Sequence, residues 1–260
     1  MTLLLKRNFT PMNKSHTVAL LAKRVFFCFM LLLPLCKLLN GNLVFAEGQT
    51  KFAQDFFDVA EPITLKDPLA VILGAIDNDG AFVFTYADAV KFAGHSCPAV
   101  AGAYKSTQLA LKALYGKETP VRGNISVTIM GGVDENVNGP ISQIVSMITG
   151  AAAENGFKGF GPAGKYGRYN LMSFAPEQKT DTKATCTLLF QRRDTGKTVE
   201  ITYDPALAHA DERMEKLMPL ALSGKATDEQ ARLFGNLMQE RVKTILFQPP
   251  EGTFIIREKQ

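Results

Sequence analysis

Apolar and polar positions along this chain repeat with two different periods, and the changes of period mark its elements. Between Gln49 and Ala60, Phe52, Phe56, Phe57 and Val59 fall on one side of a helical repeat, with Lys51, Asp55 and Asp58 opposite. That spacing predicts an amphipathic helix ending before Pro62. A short apolar run, 69–76, closes on the turn signal Asp77-Asn78-Asp79-Gly80, and the aromatic stretch 82–86 reads as a strand. A short helix is predicted over 87–92. The clearest helix follows over 98–115, where Pro98 suits the first position and Gly116 marks the stop. Its first turns are thin, with Ala99, Ala101, Gly102 and Ala103 allowing close backbone packing.

Ile125, Val127 and Ile129 then recur at period two within 121–130, as in a half-buried strand. After the polar loop 131–139, Pro140 predicts the start of a helix that carries Ile144 and Ile148 to about residue 153. Strands are predicted at 171–174, 185–191 and 198–203, the last two closed as a hairpin by Asp194-Thr195-Gly196-Lys197. Two more helices are expected over 209–222 and 227–245, the second capped by Thr227, before a closing strand at 254–256. This order predicts a single α+β domain, an antiparallel or mixed sheet packed with helices, carrying a C-terminal helical extension over about 205–247.

Charge changes the picture at the N-terminus. Residues 1–46 hold six Lys or Arg and no Asp or Glu, then an apolar run from Val25 to Leu35 and the small-x-small triplet Val44-Phe45-Ala46. This is the layout of a secretory signal peptide, with translation expected from Met1 or Met12. The 260-residue chain has 29 basic and 25 acidic side chains. Cleavage after Ala46 leaves 214 residues with 23 basic against 25 acidic. The basic balance therefore belongs to the targeting segment, and net charge gives no case for nucleic acid. The expected location is periplasmic, with no stable membrane insertion after cleavage. Cys97 and Cys186 are the thiols that remain.

The one place where reactive chemistry gathers is Phe92-Ala93-Gly94-His95-Ser96-Cys97-Pro98. Cys97 falls at or near a helix N-cap, where unpaired amides favour a thiolate, and His95 stands two residues away. Imidazole and thiolate are suitable donors for a transition metal, zinc or iron, with His209, Asp134, Glu135 or water to complete the set. The same pair also fits a redox or nucleophilic thiol with His95 as base and Cys186 as a resolving partner. A third reading is structural, with ligand binding elsewhere. For that ligand, a small anion, the candidates are Asn136 and Asn138 in the polar loop and Lys165 and Arg168 in the segment 155–169. That segment has five glycines and can form an anion cradle, without the Walker or dinucleotide spacing.

The stretch around Cys97 resembles the FmdE-like family, relatives of a formylmethanofuran dehydrogenase component, whose motif is a His-Gly-His-x-Cys-Pro-Gly run opening a helix. Phe92, Gly94, His95, Cys97, Pro98, Ala101 and Tyr104 match it; Ala93, Ala99 and Lys105 stand where the family has histidine, glycine and arginine. The resemblance spans roughly residues 85–203. It implies an α+β domain, commonly a homodimer, with a metal-associated site at His95 and Cys97. The further cysteines and the C-terminal Cys-x-x-Cys zinc ribbon of many members have no counterpart here.

Overall fold

The computed structural model describes residues 50–178 and 186–259; the expected targeting segment, 1–46, lies outside them. The elements all belong to one unit, Phe52–Gln260. In chain order they are α1 (Phe56–Val59), β1 (Ile63–Leu65), α2 (Pro68–Ile72), β2 (Phe82–Phe84), α3 (Tyr86–Ala93), α4 (Pro98–Tyr115), β3 (Ile125–Met130), α5 (Asn138–Thr149), β4 (Met172–Ala175), β5 (Cys186–Arg192), β6 (Thr198–Tyr203), α6 (Arg213–Leu222), α7 (Asp228–Phe247) and β7 (Phe254–Lys259).

The fold is α+β. A mixed sheet runs in the order β4-β3-β5-β6-β7, and β1 with β2 forms a separate antiparallel pair. β3 and β4 are parallel, and the other neighbours are antiparallel. A parallel pair needs a crossover; here α5 and the glycine-rich segment supply it. Alternate residues of β3, β5 and β6 (Ile125, Val127, Ile129, Leu188, Phe190, Val199 and Ile201) are fully buried in one core with residues of α4, α5 and α7. After α6 and α7 the chain returns to the sheet as β7, so these two helices sit between paired strands.

The central helix keeps the limits its sequence signals set, 98–115. Gly102 is required there by contact. A Cβ at that position would overlap the ring of Tyr203, whose nearest ring atoms include Cδ1 at 2.6 Å. Tyr203 is wholly buried and donates a hydrogen bond to the Pro98 carbonyl at 2.8 Å. α7 likewise starts at its Thr227 cap, in a reciprocal capping box with Gln230.

Elsewhere the structure departs from the sequence-based expectation. The predicted helix over 49–60 is a single turn, and Val59 is exposed while Phe56 and Phe57 are buried. Edge-to-face contacts of Phe52, Phe56, Phe57 and Tyr86 fix this segment in place of a helical stripe. α5 starts at Asn138, so Pro140 is its third residue. The first four amides of a helix have no partner within it, and proline loses nothing anywhere in that turn. α6 starts at Arg213, after the Asp211 carboxylate accepts from the Arg213 amide.

Candidate functional site

The segment carrying His95 and Cys97 is a tight link between two helices. α3 opens with a Thr85–Asp88 capping box and ends at Gly94, which takes the left-handed conformation. Cys97 is extended, at the N-cap of α4, with Pro98 in the first helical position. Three side chains from other elements hold this link: Tyr86 shares a hydrogen bond with Ser96 Oγ at 2.9 Å, Gln239 Nε2 donates to the Ser96 carbonyl at 3.1 Å, and Tyr203 reaches Pro98. Burial pushes the Tyr86 and Tyr203 phenols well above the ordinary range, so both stay protonated.

His95 is exposed, and its Nδ1–H donates to the Ala93 carbonyl at 3.0 Å. That bond selects the tautomer with a lone pair on Nε2, the form able to take a metal or a proton. Cys97 is half-buried and free. Among the described residues no three His, Cys, Asp or Glu side chains stand together as a metal-holding group. His209, Asp134 and Glu135 are therefore not assembled with His95 and Cys97.

In the polar loop, Asn138 is committed to the fold. Asn138 is buried, and its Nδ2 donates to the Met130 and Gly132 carbonyls at 3.0 and 2.9 Å. Its Oδ1 accepts from the Cys186 thiol at 3.3 Å. Asn138 thus ties the start of α5 to the end of β3, and its amide is fully engaged. Asn136, exposed, takes a left-handed φ of 50° in the same loop. Burial pushes the Cys186 thiol up to about 12, which leaves it protonated at neutral pH and a poor nucleophile.

Lys165 and Arg168 do come together, in a cleft of about 490 Å³. Its walls are the segment entering β3 (Val121 to Asn124), the glycine-rich loop, Pro68, Leu171 and Arg193. Arg122, Lys158, Lys165, Arg168 and Arg193 line it, with no Asp or Glu lining it among the described residues. Behind the wall lies Asp67, 2% exposed. Its carboxylate accepts from Arg168 Nη2 at 2.6 Å and from Arg122 Nη1 at 3.1 Å. Arg122 also donates through Nε and Nη2 to the Ile148 and Met147 carbonyls, which α5 leaves unpaired at its C-terminal end.

Arg168 is 8% exposed and its Nη1 end packs against Gly123, where any Cβ would overlap the guanidinium. Burial pulls its pKa down while Asp67 opposes the change; arginine remains a cation in either case.

Much of the backbone of the glycine-rich loop is bonded to itself. The amides of Phe160, Gly164, Lys165, Gly167, Arg168 and Tyr169 all donate to carbonyls of the same loop. Arg122 reaches the carbonyl end of α5, and Pro68, the first residue of α2, also lines the cleft.

No protein-family model matches the chain, and no curated protein matches it.

Sequence reasoning reached Lys165 and Arg168 through their glycine-rich setting but missed Asp67, Arg122, Gly123 and Arg193. Asp67 directly precedes Pro68, the signature of a helix N-cap, and its Oδ1 does accept from the Leu69 and Ala70 amides. That local signal carries no hint of the two arginines.

Proposed function

We propose that the protein binds a small anionic ligand in the cleft between the glycine-rich loop and the segment entering β3. The observation that carries this reading is five cationic side chains, one of them buried, on one concave surface that no carboxylate lines among the described residues. Arg168, fixed by Asp67 and Gly123, acts as the rigid anchor, and the exposed Lys158 and Lys165 adjust around the ligand. Holding the anchor in place beforehand reduces the ordering cost of binding. Binding to exposed cations weakens as salt rises.

Isothermal titration of the purified protein with phosphate, sulfate, citrate and pyrophosphate tests this. Saturable binding of at least one anion is expected, weaker at higher salt and lowered tenfold or more in the Lys158→Ala/Lys165→Ala double variant. No saturable binding, or binding indifferent to the double substitution, refutes it.

A second reading concerns the link between α3 and α4: a zinc or iron ion held by His95 and Cys97. It is favoured by the His95–Ala93 hydrogen bond, which keeps Nε2 available. Remaining donors would come from water or from a second copy of the chain. Metal analysis of untagged protein decides it; substoichiometric metal that Cys97→Ser leaves unchanged would exclude the site. We also propose export, on the basic and apolar order of residues 1–46. N-terminal sequencing of the mature protein checks for a start at Glu47. Among the described residues no helix is long and apolar enough to cross a membrane.

A further inference from the structure

The cleft is larger and more highly charged than a simple anion needs. One water occupies about 30 Å³ of liquid, so a bare phosphate or sulfate would leave most of 490 Å³ filled with solvent. A volume of this order is typical of sites for organic ligands. The positive charge is also in excess. Asp67 offsets one of its two arginines, and Lys158, Lys165 and Arg193 add three cations that no lining carboxylate among the described residues balances. A monocarboxylate would neutralise only a small part of that charge.

The remaining walls are not those of a purely ionic site. Pro68, Leu171, Tyr166 and Tyr169 also face the cleft. Tyr166 has φ of +63°, a left-handed conformation that is unusual for a bulky side chain and is often held at functional positions. Lys165 Nζ lies 5.0 Å from the centroid of the Tyr166 ring, and Lys158 Nζ lies 5.5 Å from that of Tyr169. Each of the two lysines is thus paired with an aromatic ring. Rings and aliphatic groups give a polyanion's charge no benefit; they suit an organic body attached to it.

We infer that the cleft takes an organic phosphate of two or more negative charges. Its phosphoryl group meets Arg168, with Lys158, Lys165 and Arg193 as counter-charges, and its organic part lies against Tyr166 and Tyr169. This rests on the anion-binding reading above and specifies its ligand class. A soluble phosphate ester and a phospholipid headgroup share this chemistry.

The test compares inorganic phosphate, citrate, ribose 5-phosphate and uridine 5′-diphosphate by calorimetry, with sedimentation on phosphatidylglycerol and phosphatidylcholine vesicles as a separate arm. The expected result is an organic phosphate bound at least tenfold more tightly than inorganic phosphate. Tyr166→Gly, which relieves the left-handed backbone and so should fold, is expected to bring the affinity for the organic phosphate down to that for inorganic phosphate measured on the same variant, erasing the margin. Selective sedimentation with phosphatidylglycerol, lost in Lys158→Ala/Lys165→Ala, would support the inference and assign the phosphate to a lipid. Inorganic phosphate or citrate binding as tightly as every organic phosphate, without vesicle binding, overturns the inference and leaves the anion reading standing. An organic margin that survives Tyr166→Gly overturns the role of the ring. Absence of binding in both arms overturns both proposals.

Discussion

Asp67→Asn is the most informative single change, because one carboxylate joins a helix cap to two cleft arginines. Oδ1 accepts from the Leu69 amide at 3.0 Å, the Ala70 amide at 3.4 Å and Arg168 Nη2 at 2.6 Å; Oδ2 accepts from Arg122 Nη1 at 3.1 Å. Asparagine has the same shape and can keep all three bonds to Oδ1. Its Nδ2 then faces Arg122 Nη1, donor to donor, and the negative charge between two guanidinium groups is gone. The side chains are 3% exposed for Asp67, 9% for Arg168 and 24% for Arg122, so water screens little of this loss. Removing one partner of a buried ion pair costs about 3–5 kcal/mol.

Asp67→Ala also removes the cap and should cost about 1 kcal/mol more. Urea unfolding at neutral pH reads both, with an unchanged slope showing that the fold is otherwise kept. A domain of ordinary stability, about 5–15 kcal/mol, is left marginal or still folded. The vacated negative charge also raises the net charge of the cleft, so added phosphate should restore more stability to Asp67→Asn than to the parent. An Asp67→Asn variant within about 0.5 kcal/mol of the parent would show that the arginines do not depend on Asp67, and the account of the anchor would fail.

Gly102→Ala has two opposite expectations. In an open helix interior the change stabilises by about 0.5–1 kcal/mol, but here the new methyl overlaps the Tyr203 ring, and overpacking of this kind costs about 1–3 kcal/mol. Net destabilisation in urea, relieved by adding Tyr203→Leu, is expected; a stabilised single variant would refute the contact. Cys186 supplies a pH test. Its thiol ionises near 9 when unfolded and only near 12 when folded. Stability from the buried neutral thiol is thus full below 9 and lost as pH rises towards 12. The stability of the parent relative to Cys186→Ala should fall across that window; a difference independent of pH would contradict the burial of this thiol.

The parts of the fold legible in the sequence are those whose causes are local. Pro98 and Gly116 bound α4 by backbone preference alone, Thr227 starts α7, and the alternation at Ile125, Val127 and Ile129 marks a strand facing a core. Local signals misjudged the first helix because Phe52, Phe56 and Phe57 pack on one another and on Tyr86. They misjudged the start of α5 because a proline is equally at home anywhere in a first helical turn.

The candidate site divides along the same line. A histidine and a cysteine beside a helix-starting proline, and a glycine-rich segment with basic residues, are patterns visible within a few residues. What each side chain touches is not. Asn138 has the composition of a ligand-binding loop residue, yet its amide is used by the Met130 and Gly132 carbonyls. Asp67 and Arg168 meet across 101 positions of sequence. Their pairing depends on the parallel placement of β4 beside β3, which brings the glycine-rich loop back over Gly123. By itself the sequence determined the limits of α4, the start of α7 and the buried alternation of β3, because capping and periodicity act over a few residues. Only the tertiary structure decided which cations share a cleft, because that depends on strand order and on the space a missing Cβ leaves.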